Sequence, residues 1–182
     1  MAESFVNSLT RAAGIMTSYA NCTVGAISTS ITVSANTGIA VSDLVDNGNF
    51  LAGTKVKQIA GTTIYTDLTS TNTASSATQT VKFLGVTTAY TAGDKSILIG
   101  GTFANNTENS VNLTVEIFDQ SVGVTTTGGS VALASKIPVP NGSSFVISDA
   151  GKTVLETSDE LRVYCDANDA VDVSLGILKG VS

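Results

Sequence analysis

The chain has 182 residues, of which 42% are hydrophobic, 13% charged and 5% aromatic; it has no His or Trp and a formal net charge of -6. That length buries a real core in one domain or two small ones. Nine scattered Lys and Arg exclude a phosphate-binding face for nucleic acid, and no apolar run is long enough for a membrane-spanning helix. With so few charges, Thr, Ser and Asn must cover most of the surface. Such a surface suits a protein held in an assembly, and equally an extracellular or sugar-binding module.

In residues 1–20, Phe5, Leu9, Ala12, Ala13 and Met16 fall near helical spacing, with Ser4 or Ser8 placed to cap a turn and Gly14 interrupting. The pattern predicts a short helix or extended arm that docks on a neighbouring subunit through Phe5, Leu9 and Met16. Met1-Ala2-Glu3-Ser4 lacks the basic region and apolar core of a secretion signal, so the product is expected to stay in the cytoplasm until it joins something.

Residues 21–85 read as a small β-barrel-like module of about five short strands. Ile31 and Val33 share one face, and Ala35-Asn36-Thr37-Gly38 is a turn before the segment 38–45. Asp46-Asn47-Gly48-Asn49 carries the Asn-Gly turn signal, and 55–60 and 62–68 flank Gly61 as a hairpin. Residues 78–84 form the last strand, with Val81 and Phe83 on one face. The run Ile31-Thr32-Val33, then Thr37-Gly38-Ile39-Ala40-Val41-Ser42-Asp43-Leu44-Val45, Ala52-Gly53-Thr54-Lys55-Val56 and Gly61-Thr62-Thr63-Ile64-Tyr65, resembles a β module recurrent in tailed-bacteriophage structural proteins. The family pattern has Gly where this chain has Ser42.

Residues 86–182 predict an antiparallel β-sandwich, with seven to nine strands at regular spacing (roughly one per dozen residues). The clearest strand is Val111-Asn112-Leu113-Thr114-Val115-Glu116-Ile117-Phe118, whose period of two puts Asn112, Thr114 and Glu116 on a water-facing side. Val171, Val173, Leu175 and Ile177 repeat the alternation near the end of the chain. Further strands are expected at 86–90, 95–105, 122–127, 130–137, 144–148, 152–156 and 161–165, with turns at 105–109, 128–129, 138–142 and 149–151. The loops at 105–109 and 122–129 are expected contact surfaces, through Asn105, Asn106, Asn109, Thr125 and Thr126.

This half resembles virion proteins of tailed phages of the marine cyanophage type. The matching pieces are Ser96-Ile97-Leu98-Ile99-Gly100-Gly101-Thr102-Phe103-Ala104-Asn105-Asn106, then 111–118, then Ile137-Pro138-Val139-Pro140-Asn141-Gly142-Ser143-Ser144. They continue through Gly151-Lys152-Thr153-Val154-Leu155-Glu156 and Asp159-Glu160-Leu161-Arg162-Val163, and their order carries the resemblance. It implies a structural virion component and brings no enzymatic residues with it.

The residues themselves offer little chemistry. Without His there is no Ser-His-Asp or Cys-His catalysis and no common zinc or iron site. Cys22 and Cys165 are far apart and read as buried small hydrophobes in an unsecreted protein. Asn-X-Ser/Thr spacings such as Asn112-Leu113-Thr114 arise by chance in a chain this rich in Asn and Thr. Carboxylates gather late, at Asp149, Glu156, Asp159, Glu160, Asp166, Asp169 and Asp172. Asp166, Asp169 and Asp172 have the short spacing of a calcium loop, yet the stretch lacks the loop Gly and terminal Glu of an EF-hand and reads as a solvated acidic turn.

The expectation is therefore an all-β, non-enzymatic structural protein of a tailed-phage virion without cofactor. It would sit on the capsid surface or the neck or tail exterior and contact other virion proteins and its own copies. The alternative is a virion module that binds host-surface glycans or proteins.

Overall fold

The computed structural model describes residues 3–122 and 129–181, with side chains described outside 149–152. The chain is all-β, with three antiparallel sheets and essentially no helix. It divides into two compact units, one made of Met1–Gly14 with Thr87–Ser182, the other of Ile15–Val86. The second is thus an insertion in the sequence of the first.

In the inserted unit the strands are β2 (Ile15–Val24), β3 (Ser30–Thr32), β4 (Leu44–Asp46), β5 (Val56–Ala60), β6 (Thr63–Thr66) and β7 (Ser76–Gly85). They form one sheet in the order β4-β7-β2-β3-β6-β5. Its two end strands meet: Val45 N–H donates to Thr54 O at 2.8 Å and Val56 N–H to Asp43 O at 2.9 Å, beside the antiparallel bridge Leu44–Lys55. Pairing the end strands satisfies backbone groups that an open edge would leave to solvent or to another chain. Val24, Ile31, Val56, Ile64, Val81 and Phe83 fill its interior. Ser42, the departure from the phage pattern, has φ +78°, in the left-handed region where glycine is at ease.

The other unit holds β1 (Ser4–Ala13), β8 (Thr87–Thr91), β9 (Ser96–Asn105), β10 (Val111–Phe118), β11 (Ser130–Val139), β12 (Ser144–Leu155), β13 (Glu160–Cys165) and β14 (Val171–Lys179). Two four-stranded sheets result, β1-β14-β9-β12 and β11-β10-β13-β8. One core serves both: Leu98, Phe103 and Leu175 of the first sheet pack with Leu113, Val115 and Val163 of the second. Pro138 lies near the end of β11, which is an edge strand, where its missing N–H costs no ladder bond.

Four expectations are corrected. Residues 4–13 form no helix or free arm; they pair with β14 from Ser4–Lys179 to Ala13–Val171. Helical spacing of Phe5 and Leu9 misleads because both point outward, while inward Ser8 and Thr10 donate from their hydroxyls to Ala89 O at 3.0 and 3.3 Å. The unit boundaries consequently differ from the expected cuts after 20 and 85. Gly14, with φ +124° and the Ala167 carbonyl where a Cβ would stand, ends β1. Residues 149–151 break the register between Ser148 and Thr153 without ending β12. On β10, Thr114 and Glu116 do not face water: Glu116 is only 3% exposed.

Candidate functional site

Glu116 heads the one buried acid–phenol pair among the described residues. Tyr164 Oη–H donates to its Oε1 at 2.6 Å and Ser130 Oγ–H at 3.1 Å. Burial first, then the Glu116 charge, pushes the Tyr164 phenol well above its usual range, so it stays a donor at any physiological pH. Nearby, the Arg162 guanidinium lies 3.6 Å from the centre of the Phe118 ring and pairs with Glu160 at 2.8 Å. A phenol held protonated against a carboxylate fastens β13 to β10 and is a poor proton shuttle.

Three of the late carboxylates, Asp159, Asp166 and Asp172, are likewise committed to the fold. Asp166 accepts from Asn112 N–H at 2.7 Å and from Asn112 Nδ2 at 2.9 Å. Asp172 accepts from Ala12 N–H at 2.8 Å, a bond that holds its carboxyl below the usual range. Asp159 accepts from Glu156 N–H at 2.9 Å and Gln120 N–H at 3.2 Å, closing two loops. Among the described residues, no three His, Cys, Asp or Glu side chains gather as metal ligands would. Cys22 and Cys165 are buried thiols in separate cores. Burial raises the Cys22 thiol above its ordinary value.

The expected contact residues separate. Asn105 is 4% exposed and structural: its Nδ2 donates to Asn109 O and Val139 O at 2.8 and 2.9 Å, and its Oδ1 accepts from Thr107 N–H at 2.8 Å. Asn106 and Asn109 stay exposed on that turn. Met16 lies half-buried on β2, in the other unit from Phe5 and Leu9. Thr125 and Thr126 lie outside the described residues. Phe5 and Leu9 are 77% and 74% exposed on β1.

What the sequence reading missed is the surface to which Phe5 and Leu9 belong. The register aligns Phe5 with Leu178, Leu178 with Ile97, and Ile97 with Val154. That is an apolar row across all four strands on the side away from the core. Two residues along, the register aligns Asn7, Gly176, Gly100 and Ser148, a row of small side chains. Beyond it, Leu9, Ser174, Thr102 and Val146 align in turn. Here a shallow cavity of about 290 Å³ opens, with Leu9 and Thr102 among its walls and Ser174 in its lining. Ile99 adds a further exposed apolar group at the bulge. A solvated face of an antiparallel sheet is normally polar, and this row departs from that pattern.

Comparison with family models, with curated proteins and with solved structures gives no match. The surface has to be read from its own chemistry.

Proposed function

We propose that the chain is a non-enzymatic structural component of a tailed-phage virion, an accessory protein of the capsid surface or the neck or tail exterior that acts through subunit contacts. The observation that carries the contact role is the outward apolar row Phe5–Leu178–Ile97–Val154. The two-sheet unit, read as a β-sandwich, supplies the rigid platform on which that row stands. The virion setting rests on the ordered sequence resemblance of residues 96–163 to phage virion proteins. The left-handed Ser42, where the phage module pattern has glycine, supports it. The acid–phenol pair and the turn carboxylates serve the fold in this reading, and no cofactor takes part.

The test is imaging of labelled protein on purified particles of the encoding phage. Signal over the whole shell means decoration, and signal at one vertex means neck or tail. Absence of the protein from intact particles overturns the proposal. The variant Phe5→Glu, changed at an exposed position, is expected to fold and to lose incorporation.

A further inference from the structure

We propose that two copies of this chain pack face to face through the outer side of the sheet β1-β14-β9-β12, about a two-fold axis running along the Asn7–Gly176–Gly100–Ser148 row. The inference rests on reading this face as the contact surface, and it names the partner as a second copy.

The face matches itself about that row. A two-fold axis there lays each copy's apolar row over the other copy's Leu9–Ser174–Thr102–Val146 row. Phe5 then meets Leu9, and Val154 meets Val146, apolar against apolar at both sheet edges. Between them Leu178 faces Ser174, whose small side chain lies in the cavity of about 290 Å³, so a knob meets a hollow twice per dimer. On the axis itself the glycines let the two backbones approach. An isologous contact requires this reciprocity, residue i to j and j to i.

Charge agrees. Among the described outward positions of the four strands, the only charges are Arg11 and Asp172, which sit together at one end and cancel. These described positions therefore add no net charge to the face, although the molecule as a whole carries -6. Glu3, one step before β1 on the same alternation as Phe5, comes opposite Arg11 of the second copy.

Size agrees as well. Four strands spaced by about 4.8 Å, each near ten residues at about 3.3 Å, give roughly 600 Å² per copy and roughly 1,200 Å² for the pair. That is the lower end of a specific interface, so the dimer is weak and reversible.

The discriminating variant is Gly176→Leu. Among the described residues a Cβ at Gly176 meets nothing nearer than Gly100 O at 3.9 Å, and its φ is not left-handed, so the described fold has room for a side chain. In the dimer two such side chains collide on the axis. General apolar stickiness would instead grow with the added leucine.

Sedimentation equilibrium of the full chain is expected to show a dimer dissociating at roughly 1–100 μM. Gly176→Leu and Val154→Glu each weaken it about tenfold or more, while Leu51→Glu, exposed on the other unit, leaves it unchanged. Phe5→Glu, at a still more exposed site, keeps the test in hand if Gly176→Leu does not fold. A wild-type chain monomeric at about 500 μM, above the range expected for such an area, overturns the proposal, as does a Gly176→Leu chain that dimerises as tightly as wild type or tighter. A monomer that still labels particles overturns the dimer and leaves the virion reading standing. A dimer with this mutational pattern and no protein on particles does the reverse.

Discussion

Replacing Ser42 with Gly is expected to stabilise the inserted unit. Ser42 is held at φ +78°, and its N–H donates to Val56 O at 2.8 Å, which ties it to the closure between the sheet's end strands. The bond belongs to the backbone and survives the change, and no hydrogen bond of the hydroxyl is lost among the described residues. A non-glycine residue in the left-handed region costs about 1–2 kcal/mol. Glycine gives back about 0.5–1 kcal/mol through its greater freedom in the unfolded chain. The balance is a gain of about 0.5–1 kcal/mol, or roughly 2–8 °C in Tm for a unit of this size. Scanning calorimetry of wild type, Ser42→Gly and Ser42→Ala tests it. Alanine keeps the left-handed cost and should not stabilise. A glycine variant no more stable than wild type, or an alanine variant more stable than the glycine one, would refute the backbone argument.

Other perturbations probe the two-sheet unit. Gly14→Ala is expected to cost roughly 2–4 kcal/mol, since it adds a Cβ against the Ala167 carbonyl at φ +124°; urea unfolding measures it, and a loss below about 0.5 kcal/mol would remove the steric account. A double-mutant cycle of Glu116→Gln and Tyr164→Phe should return a coupling of about 1.5–3 kcal/mol, the range of a hydrogen bond to a charged group. Additive effects would mean that the 2.6 Å contact contributes nothing net. Asp172 has its carboxyl lowered in the folded state, chiefly by the Ala12 N–H. Its contribution is therefore present above the unfolded value of about 3.9 and lost as pH falls from there through the folded value. Thermal melts of Asp172→Asn from pH 6 to pH 2 should show a flatter acid limb than wild type, and superimposable limbs would contradict the assignment.

Alternation found the strands wherever one side of the chain is buried and the other wet. Residues 96–105 and 171–179 were legible because Leu98, Phe103, Val173 and Leu175 point into a core while their neighbours point away, and 111–118 was legible from its residue types although both of its sides are largely buried. It failed at β1, where the polarity is inverted: Ser8 and Thr10 face inward to bond Ala89 O, and Phe5 and Leu9 face out. Local pattern assumes that apolar means inside, and a strand whose apolar side meets no part of its own chain breaks that assumption. Glu116 failed for the converse reason, because a charge alternating with apolar residues reads as solvated until a buried Tyr164 hydroxyl is found 2.6 Å away.

The outward apolar row shows the same division. The sequence singled out Phe5 and Leu9, but as the apolar side of a helix or arm; their exposure on a paired strand comes from the structure. Leu178, Ile97 and Val154 carry no such sign, because each looks like an ordinary member of a strand. Only the cross-strand register, set by backbone pairing between segments as much as 175 residues apart (Ser4 and Lys179), gathers them into one row. By itself the sequence determined the β class, most strand positions and the absence of histidine chemistry, all of which depend on residue type and near neighbours. The tertiary structure alone decided which strands lie side by side, and so which scattered apolar residues share a surface, because sheet order and register arise from long-range pairing that no local pattern encodes.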